Sequence, residues 1–513
     1  MTQLVWFKRD LRVRDHAPLS HAARAGDVLC LYVFEPKMLQ APDCDSSHVQ
    51  FTLESLKELK TRLEELGGAL ILRTGDAVTV LAELVENHGI TKVWSHMETG
   101  NGLTFKRDIA VGKMLRDRNT PWVECSQHGV IRRLKNRDGW AAKWTKLMKE
   151  PEADVPASLT PAQGVRSESM PTLSALGLPP SARCEVQIGG ESHAHECLET
   201  FLETRGERYR EAMSSPVTAE WECSRLSTYL AYGNISMRTV YQATEARRTQ
   251  LKAARADGVD IGKQWLKSIT SFSKRLRWHC HFIQKMEDEP SLEFENISRA
   301  CDGMRENDFD ELRFEAWKTG HTGYPMVDAC MRYLHHTGWI NFRMRAMLVS
   351  FASYHLWLHW RPTSLHLARL FVDYEPGIHY SQSQMQSGTT GINAVRIYSP
   401  TKQGYDQDPE GVFIRKWVPE LANVPLKYVH EPSQMPEDVQ HASGCVIGKD
   451  YPAPIVDHKE AVAAAKKAVY GVRRRSEARE EAQSIYKKHG SRRRPDKQFR
   501  REAKAKASKK RSS

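Results

Sequence analysis

The 513-residue sequence has no apolar run near the roughly 18 residues that a membrane-spanning helix needs, so no membrane partner is expected. Lys8, Arg9 and Asp10 interrupt the opening stretch where a secretory leader requires unbroken hydrophobicity. The ten cysteines include no C-x-x-C pair, which argues against a disulfide framework or zinc ribbon and for reduced thiols in the cytoplasm. Neither G-x-G-x-x-G nor G-x-x-x-x-G-K-[ST] occurs, so no standard nucleotide fingerprint is present. Internal repeats are also absent. A hydrophobic content of 40% with 13 Trp excludes global disorder.

Charge is present but unevenly placed. The chain carries a net +12, yet residues 456–513 hold 20 Lys and Arg against 7 Asp and Glu, a net +13. The first 455 residues are therefore at −1. Basic character belongs to the C-terminal stretch, whose few large apolar residues predict a flexible tail.

Residues 1–130 alternate short β-type runs with helical periodicity, the pattern of a doubly wound α/β domain. Strands are expected at Leu4 to Phe7, Val28 to Phe34, Ala69 to Leu72, Lys92 to Trp94 and Trp122 to Cys125. Leu53, Leu56, Leu59, Leu63 and Leu66 mark one helix stripe, stopped by Gly67 and Gly68. Asp76 is placed to cap a helix over 77–88, and Lys106 to Arg116 reads as the next. Residues 131–193, rich in proline, read as a linker. From 194 to 455 helical periodicity dominates, predicting an all-α domain in which Arg343 to Leu358 is a buried helix.

His279 and His281 would point about 200° apart on a helix, so Trp278-His279-Cys280-His281 predicts no metal site. Arg343 and Arg345 stand in an apolar helix, where a guanidinium needs a carboxylate, phosphate or cofactor. Asp373 and Glu375 are candidate partners. This much predicts either a structural ion pair or a ligand pocket in a helical domain.

The residues also resemble a family. Leu4-Val5-Trp6-Phe7-Lys8-Arg9-Asp10-Leu11-Arg12 is similar to the first strand and loop of the photolyase/cryptochrome flavoproteins. Thr319 to Arg332, then Thr337-Gly338-Trp339, Asn341, Arg343 and Arg345, resemble the family's most recognisable run. Pro400 to Gly404 and Phe413 to Leu421 follow in the expected order. The resemblance spans roughly 1–455. It implies an all-α domain burying FAD, an α/β domain able to hold an antenna chromophore near Met97 to Asn101, and monomeric action on UV-damaged DNA. Residue by residue, it implies FAD contacts from Tyr209, from Ser224, Arg225, Leu226 and Ser227, from Arg343, from the Arg345–Asp373 pair, and from Tyr374, Glu375 and His379. Gln403 is implied to approach DNA. The helix bearing Lys274, Arg275, Arg277 and Trp278 combines charge with a stacking ring, which suits an extruded nucleotide.

One stretch departs from the pattern. His379 to Gly388 replaces the family's Asn-Gly-Gly-Trp-Gln-Trp segment, so Ser381 or Ser383 stands where a tryptophan passes an electron to the flavin. Trp360 matches the middle tryptophan of that chain. Other electron-transfer candidates are Trp357, Trp339 and Tyr380. The resemblance therefore implies a light-driven, FAD-dependent photolyase. The alternatives are a cryptochrome-type photoreceptor and a DNA-binding protein with a vestigial flavin site.

Overall fold

Five parallel strands in the order β3-β2-β1-β4-β5 form the N-terminal sheet of the computed structural model, which describes residues 1–491. They are β1 (Thr2–Phe7), β2 (Asp27–Phe34), β3 (Leu70–Thr74), β4 (Ile90–His96) and β5 (Trp122–Cys125), each overlapping an expected strand. Their near-continuous apolar runs suit a sheet covered on both faces. β1 lies between β2 and β4, with Val5 in register with Cys30 and Trp94. The order reverses there, creating the crevice beyond the strand ends where doubly wound sheets bind ligands.

The predicted helices form for the local reasons seen in the sequence. The leucine stripe lies in Ser46–Glu65, and Gly67 beyond it adopts φ +82, which a side chain would resist. Asp76 Oδ1 accepts from the Val78 and Thr79 amides at 3.0 and 3.3 Å, capping Ala77–Asn87.

The proline-rich stretch is not wholly extended. It contains the helix Trp140–Met148, whose Trp140, Trp144 and Met148 at i, i+4 and i+8 are buried in the helical core. From Glu191 the chain is helical, with two long elements, Met237–Ala256 and Trp265–Asp288, packed together. The expected helix 343–358 is interrupted. Phe342–Ser350 passes into a wider π turn, Phe351–His355, and Trp357 takes φ +58.

The expectation of a flexible tail from 456 is corrected for the described part. Helices His458–Arg473 and Ser476–His489 pack on the body. Ala465 and Val469 lie on Tyr354, and Val456 O accepts from Tyr324 Oη at 2.8 Å. Glu481 accepts from Ser298 Oγ (2.6 Å), Arg299 N (2.7 Å) and Ala300 N (3.1 Å). Burial against a groove made by distant residues replaces the core that this segment lacks. The rest of the expected tail, 492–513, lies outside the described residues. Among the described residues no helix is long and apolar enough to cross a membrane.

Candidate functional site

Arg345, on helix Phe342–Ser350, meets Asp373, in the loop before Pro376–Ser387, through two parallel hydrogen bonds of 2.9 and 2.8 Å. Its Nε donates to Ile340 O at 2.7 Å and its guanidinium lies 4.1 Å from the Phe371 ring centroid. The ion pair is thus fixed on three sides. Arg343 extends elsewhere, with Nη1 3.5 Å from Gln403 Oε1 and a buried Nε that has no partner.

A second wall is built by residues around Trp339. The Arg225 guanidinium stacks 4.0 Å above its ring, and Trp339 Nε1 donates to Ser227 Oγ at 3.3 Å. Arg225 takes φ +59, and Gln187 holds its carbonyl at 3.0 Å. Asn341 Nδ2 donates to Met213 O and Ser214 O, tying this wall to the segment that carries buried Tyr209. Leu226 packs in the core, and Ser224 Oγ accepts from the Leu226 amide at 3.4 Å. Burial pushes the Tyr209 phenol pKa up, against the opposing pull of Arg275. Arg225 Nε and Asn341 Oδ1 are buried without partners. An unpartnered cationic donor such as Arg225 Nε suits a pyrophosphate, and the Arg345 fork supplies a fixed positive charge for an aromatic anion. The donor set therefore fits FAD.

Three residues expected against the flavin have other neighbours. Tyr374 Oη donates to Asp43 Oδ2 of the N-terminal domain at 2.6 Å. Glu375 lies 3.6 Å from Arg9, which also bonds the Tyr374 and Ala231 carbonyls. Chain direction explains both: the segment after Asp373 turns toward the N-terminal sheet. His379 Nε2 donates to Ser364 O at 2.8 Å, which leaves Nδ1 as the acceptor; burial lowers its pKa to about 4 and keeps the ring neutral.

Electron-transfer candidates divide by their neighbours. Trp339 and Trp357 each carry a guanidinium, Arg225 at 4.0 Å and buried Arg305 at 4.4 Å. Trp360 and Tyr380 are fully buried, edge to face at 6.4 Å, and Trp360 Nε1 donates to Asn296 Oδ1 at 2.7 Å.

On Trp265–Asp288, Lys274 and Arg275 are exposed, whereas Arg277 and Trp278 are half-buried. Trp278 packs edge-on against His281 at 5.0 Å. His279 faces His128 and His281 faces Trp140, so the two histidines diverge.

Two features add to the sequence reading, the first of them including Asn101 from the stretch expected to meet an antenna chromophore. A cavity of about 200 Å³ sits at the strand ends between the domains, lined by Trp6, Tyr32, Asp43, Asn101, Arg107 and Tyr374 among others. The reversal of strand order was its available signal. The second is Asp10, His16 and His96, whose candidate ligand atoms lie within 4.8 Å of one another. Asp10 Oδ2 bonds His16 Nε2 (3.0 Å) and His96 Nδ1 (2.8 Å), and His16 Nδ1 accepts from Leu19 N. These bonds satisfy the carboxylate and fix both tautomers.

Comparison with known proteins agrees with this geometry. Residues 3–146 match the family model described as DNA photolyase, and 272–471 match the FAD binding domain of DNA photolyase. The chain is 30% identical over 478 residues to a deoxyribodipyrimidine photo-lyase of Agrobacterium fabrum, covering 89% of this chain and 95% of the relative. It is 29% identical over 494 residues to a cryptochrome DASH of Gloeobacter violaceus, covering 91% and 95%. An archaeal photolyase from Sulfolobus tokodaii, solved with two FAD molecules, superposes with a TM-score of 0.73 at 25% identity, covering 92% of this chain and 100% of that one. Two family models covering most of the chain, and relatives aligned along nearly its whole length, show that it belongs to the FAD-binding DNA photolyase/cryptochrome family.

Proposed function

We propose that this protein is a blue-light-driven DNA photolyase that repairs UV-induced pyrimidine lesions, acting as a cytoplasmic monomer. The observation that carries the reading is the pairing of a fixed Arg345–Asp373 fork with buried, unpartnered Arg225 and Arg343 nitrogens in one helical domain. Bound FAD, when reduced, supplies a light-activated electron to a cross-linked pyrimidine pair and recovers it after the bonds open. The protein's own residues bind and orient. Arg225, Ser227 and Tyr209 take the phosphate side. Arg345 favours an anionic flavin ring by opposite charge, and Asp373 keeps that guanidinium from wandering. Lys274, Arg275 and Arg277 draw the DNA backbone, Trp278 stacks on an extruded base, and Gln403, held near Arg343, approaches the DNA.

The interdomain cavity is proposed to hold an antenna chromophore, a role for which the Sulfolobus tokodaii photolyase, with its second FAD and implied light-harvesting cofactor, is the precedent. The altered segment His379 to Gly388 favours one second reading, a cryptochrome-type photoreceptor. A light-dependent repair assay separates the two. Oligonucleotides bearing cyclobutane dimers or (6-4) products, single- and double-stranded, are expected to be restored by the FAD-loaded protein. Retained flavin photochemistry without repair of any of them would leave the photoreceptor reading.

A further inference from the structure

Tyr374 closes a line of packed rings. Trp360 meets Tyr380 at 6.4 Å, Tyr380 meets Tyr374 at 6.3 Å and 89°, and His379 lies 5.3 Å from both tyrosines. The Tyr374 hydroxyl donates to Asp43 Oδ2 at 2.6 Å, a bond between residues 331 positions apart that joins the two domains. The same oxygen accepts from Asn101 Nδ2 at 3.0 Å. Tyr374 and Asp43 both line the interdomain cavity.

Removing an electron from a phenol makes its proton strongly acidic, so a tyrosine gives up an electron readily where a base stands ready for the proton. Trp360 has only the neutral amide of Asn296. Tyr374 has a carboxylate at hydrogen-bond distance. The carboxylate makes Tyr374 the ring of this line best placed to release a proton as it loses an electron.

We propose that Tyr374 is the terminal electron donor for photoreduction of the bound flavin and that Asp43 is its proton acceptor. One electron passes from the Tyr374 ring, through the ring cluster, to the light-excited oxidised FAD. The phenolic O–H bond breaks and its proton moves to Asp43 Oδ2, leaving a neutral phenoxyl radical and a neutral carboxylic acid. A thiol entering the cavity restores the tyrosine by giving up a hydrogen atom, and Asp43 then returns its proton to water. The inference rests on flavin binding and is independent of DNA repair, so loss of repair leaves it standing.

The test illuminates the full-length, FAD-loaded protein without oxygen and reads the protein radical by electron paramagnetic resonance. A tyrosyl signal is expected that gains fluorine splitting when 3-fluorotyrosine replaces Tyr374 and disappears in Tyr374→Phe. Asp43→Asn is expected to slow radical formation roughly a hundredfold, the lower range for a positioned base, and to abolish the slowing by D2O seen in the parent. A tyrosyl signal unchanged in Tyr374→Phe overturns the proposal. If that variant does not fold, the fluorotyrosine protein decides, and absence of fluorine splitting is then the overturning result.

Discussion

Which aromatic residues can lose an electron here is decided by charge as much as by distance. Arg305 is 1% exposed and lies 4.4 Å from the Trp357 ring centroid. Burial lowers its pKa to about 10, so it remains cationic at neutral pH. Oxidising Trp357 would place a second positive charge against it. With an effective dielectric of about 20, two unit charges at that separation repel by ~4 kcal/mol. Arg225, 4.0 Å from Trp339, imposes a similar cost. That disfavours a hole on either ring by roughly three powers of ten. Trp357→Phe is therefore expected to leave the rate of blue-light flavin photoreduction, normalised to bound flavin, close to that of the parent. Tyr380→Phe, which breaks the line between Trp360 and Tyr374, should slow it at least roughly tenfold, since one such factor needs only ~1.4 kcal/mol. Arg305→Gln supplies the converse measurement: with the cation gone, Trp357 becomes an available donor and partly restores the Tyr380→Phe variant. Photoreduction lost in Trp357→Phe but normal in Tyr380→Phe would refute the electrostatic reasoning.

Two further outcomes follow from the C-terminus and the domain interface. Ending the chain after residue 491 removes 11 Lys and Arg and 2 Asp and Glu, a net +9, and leaves every described helix in place. The salt dependence of DNA affinity should flatten at the same time, by about 0.9 in slope for each phosphate no longer neutralised. Ending it after 455 instead uncovers Tyr354 and strips the Glu481 bonds from Ser298, Arg299 and Ala300, so melting should fall by several degrees; equal melting of the two truncations would count against the docked helices. Burial raises the Glu293 pKa to about 7, although its carboxylate accepts from Gly102 N at 2.6 Å. The folded state then holds this proton more tightly than the unfolded chain, so the contribution is full below about pH 4.5 and is lost as pH rises through about 7. Glu293→Gln should make thermal stability less dependent on pH across that window, and an unchanged pH profile by calorimetry would rule the group out.

Legibility in the sequence followed the range of the interactions. The five strands and the Asp76 cap were readable because apolar runs and a side chain two or three residues from its amide partners are local signals. The Arg345–Asp373 fork was readable as a need: a guanidinium in an apolar helix requires a partner, and the next carboxylate-bearing loop is 28 residues on. Trp140, Trp144 and Met148 carried a helix signal at i, i+4 and i+8 that the surrounding prolines obscured. The C-terminal helices show the opposite limit. Ala465 and Val469 make an apolar stripe too small to predict order by itself, and it becomes buried because Tyr354, Met304 and Trp357 offer a matching surface.

The same distinction accounts for Tyr374 and Glu375. Proximity in sequence to Asp373 places both with the flavin, and that is the inference a linear motif invites. In space, successive residues of the loop serve different neighbours: Asp373 turns to Arg345 within the helical domain, whereas Tyr374 and Glu375 reach Asp43 and Arg9 of the sheet domain. One short segment therefore links the flavin-side ion pair to the interdomain cavity. Loss of an electron from Tyr374, with its proton taken up by Asp43, would remove one negative charge from the wall of that cavity while the Arg345 fork stays intact. Any molecule bound between the domains would then sense the redox state of the helical domain through a residue adjacent in sequence to Asp373, and a family motif identifies only the ion-pair half of that arrangement.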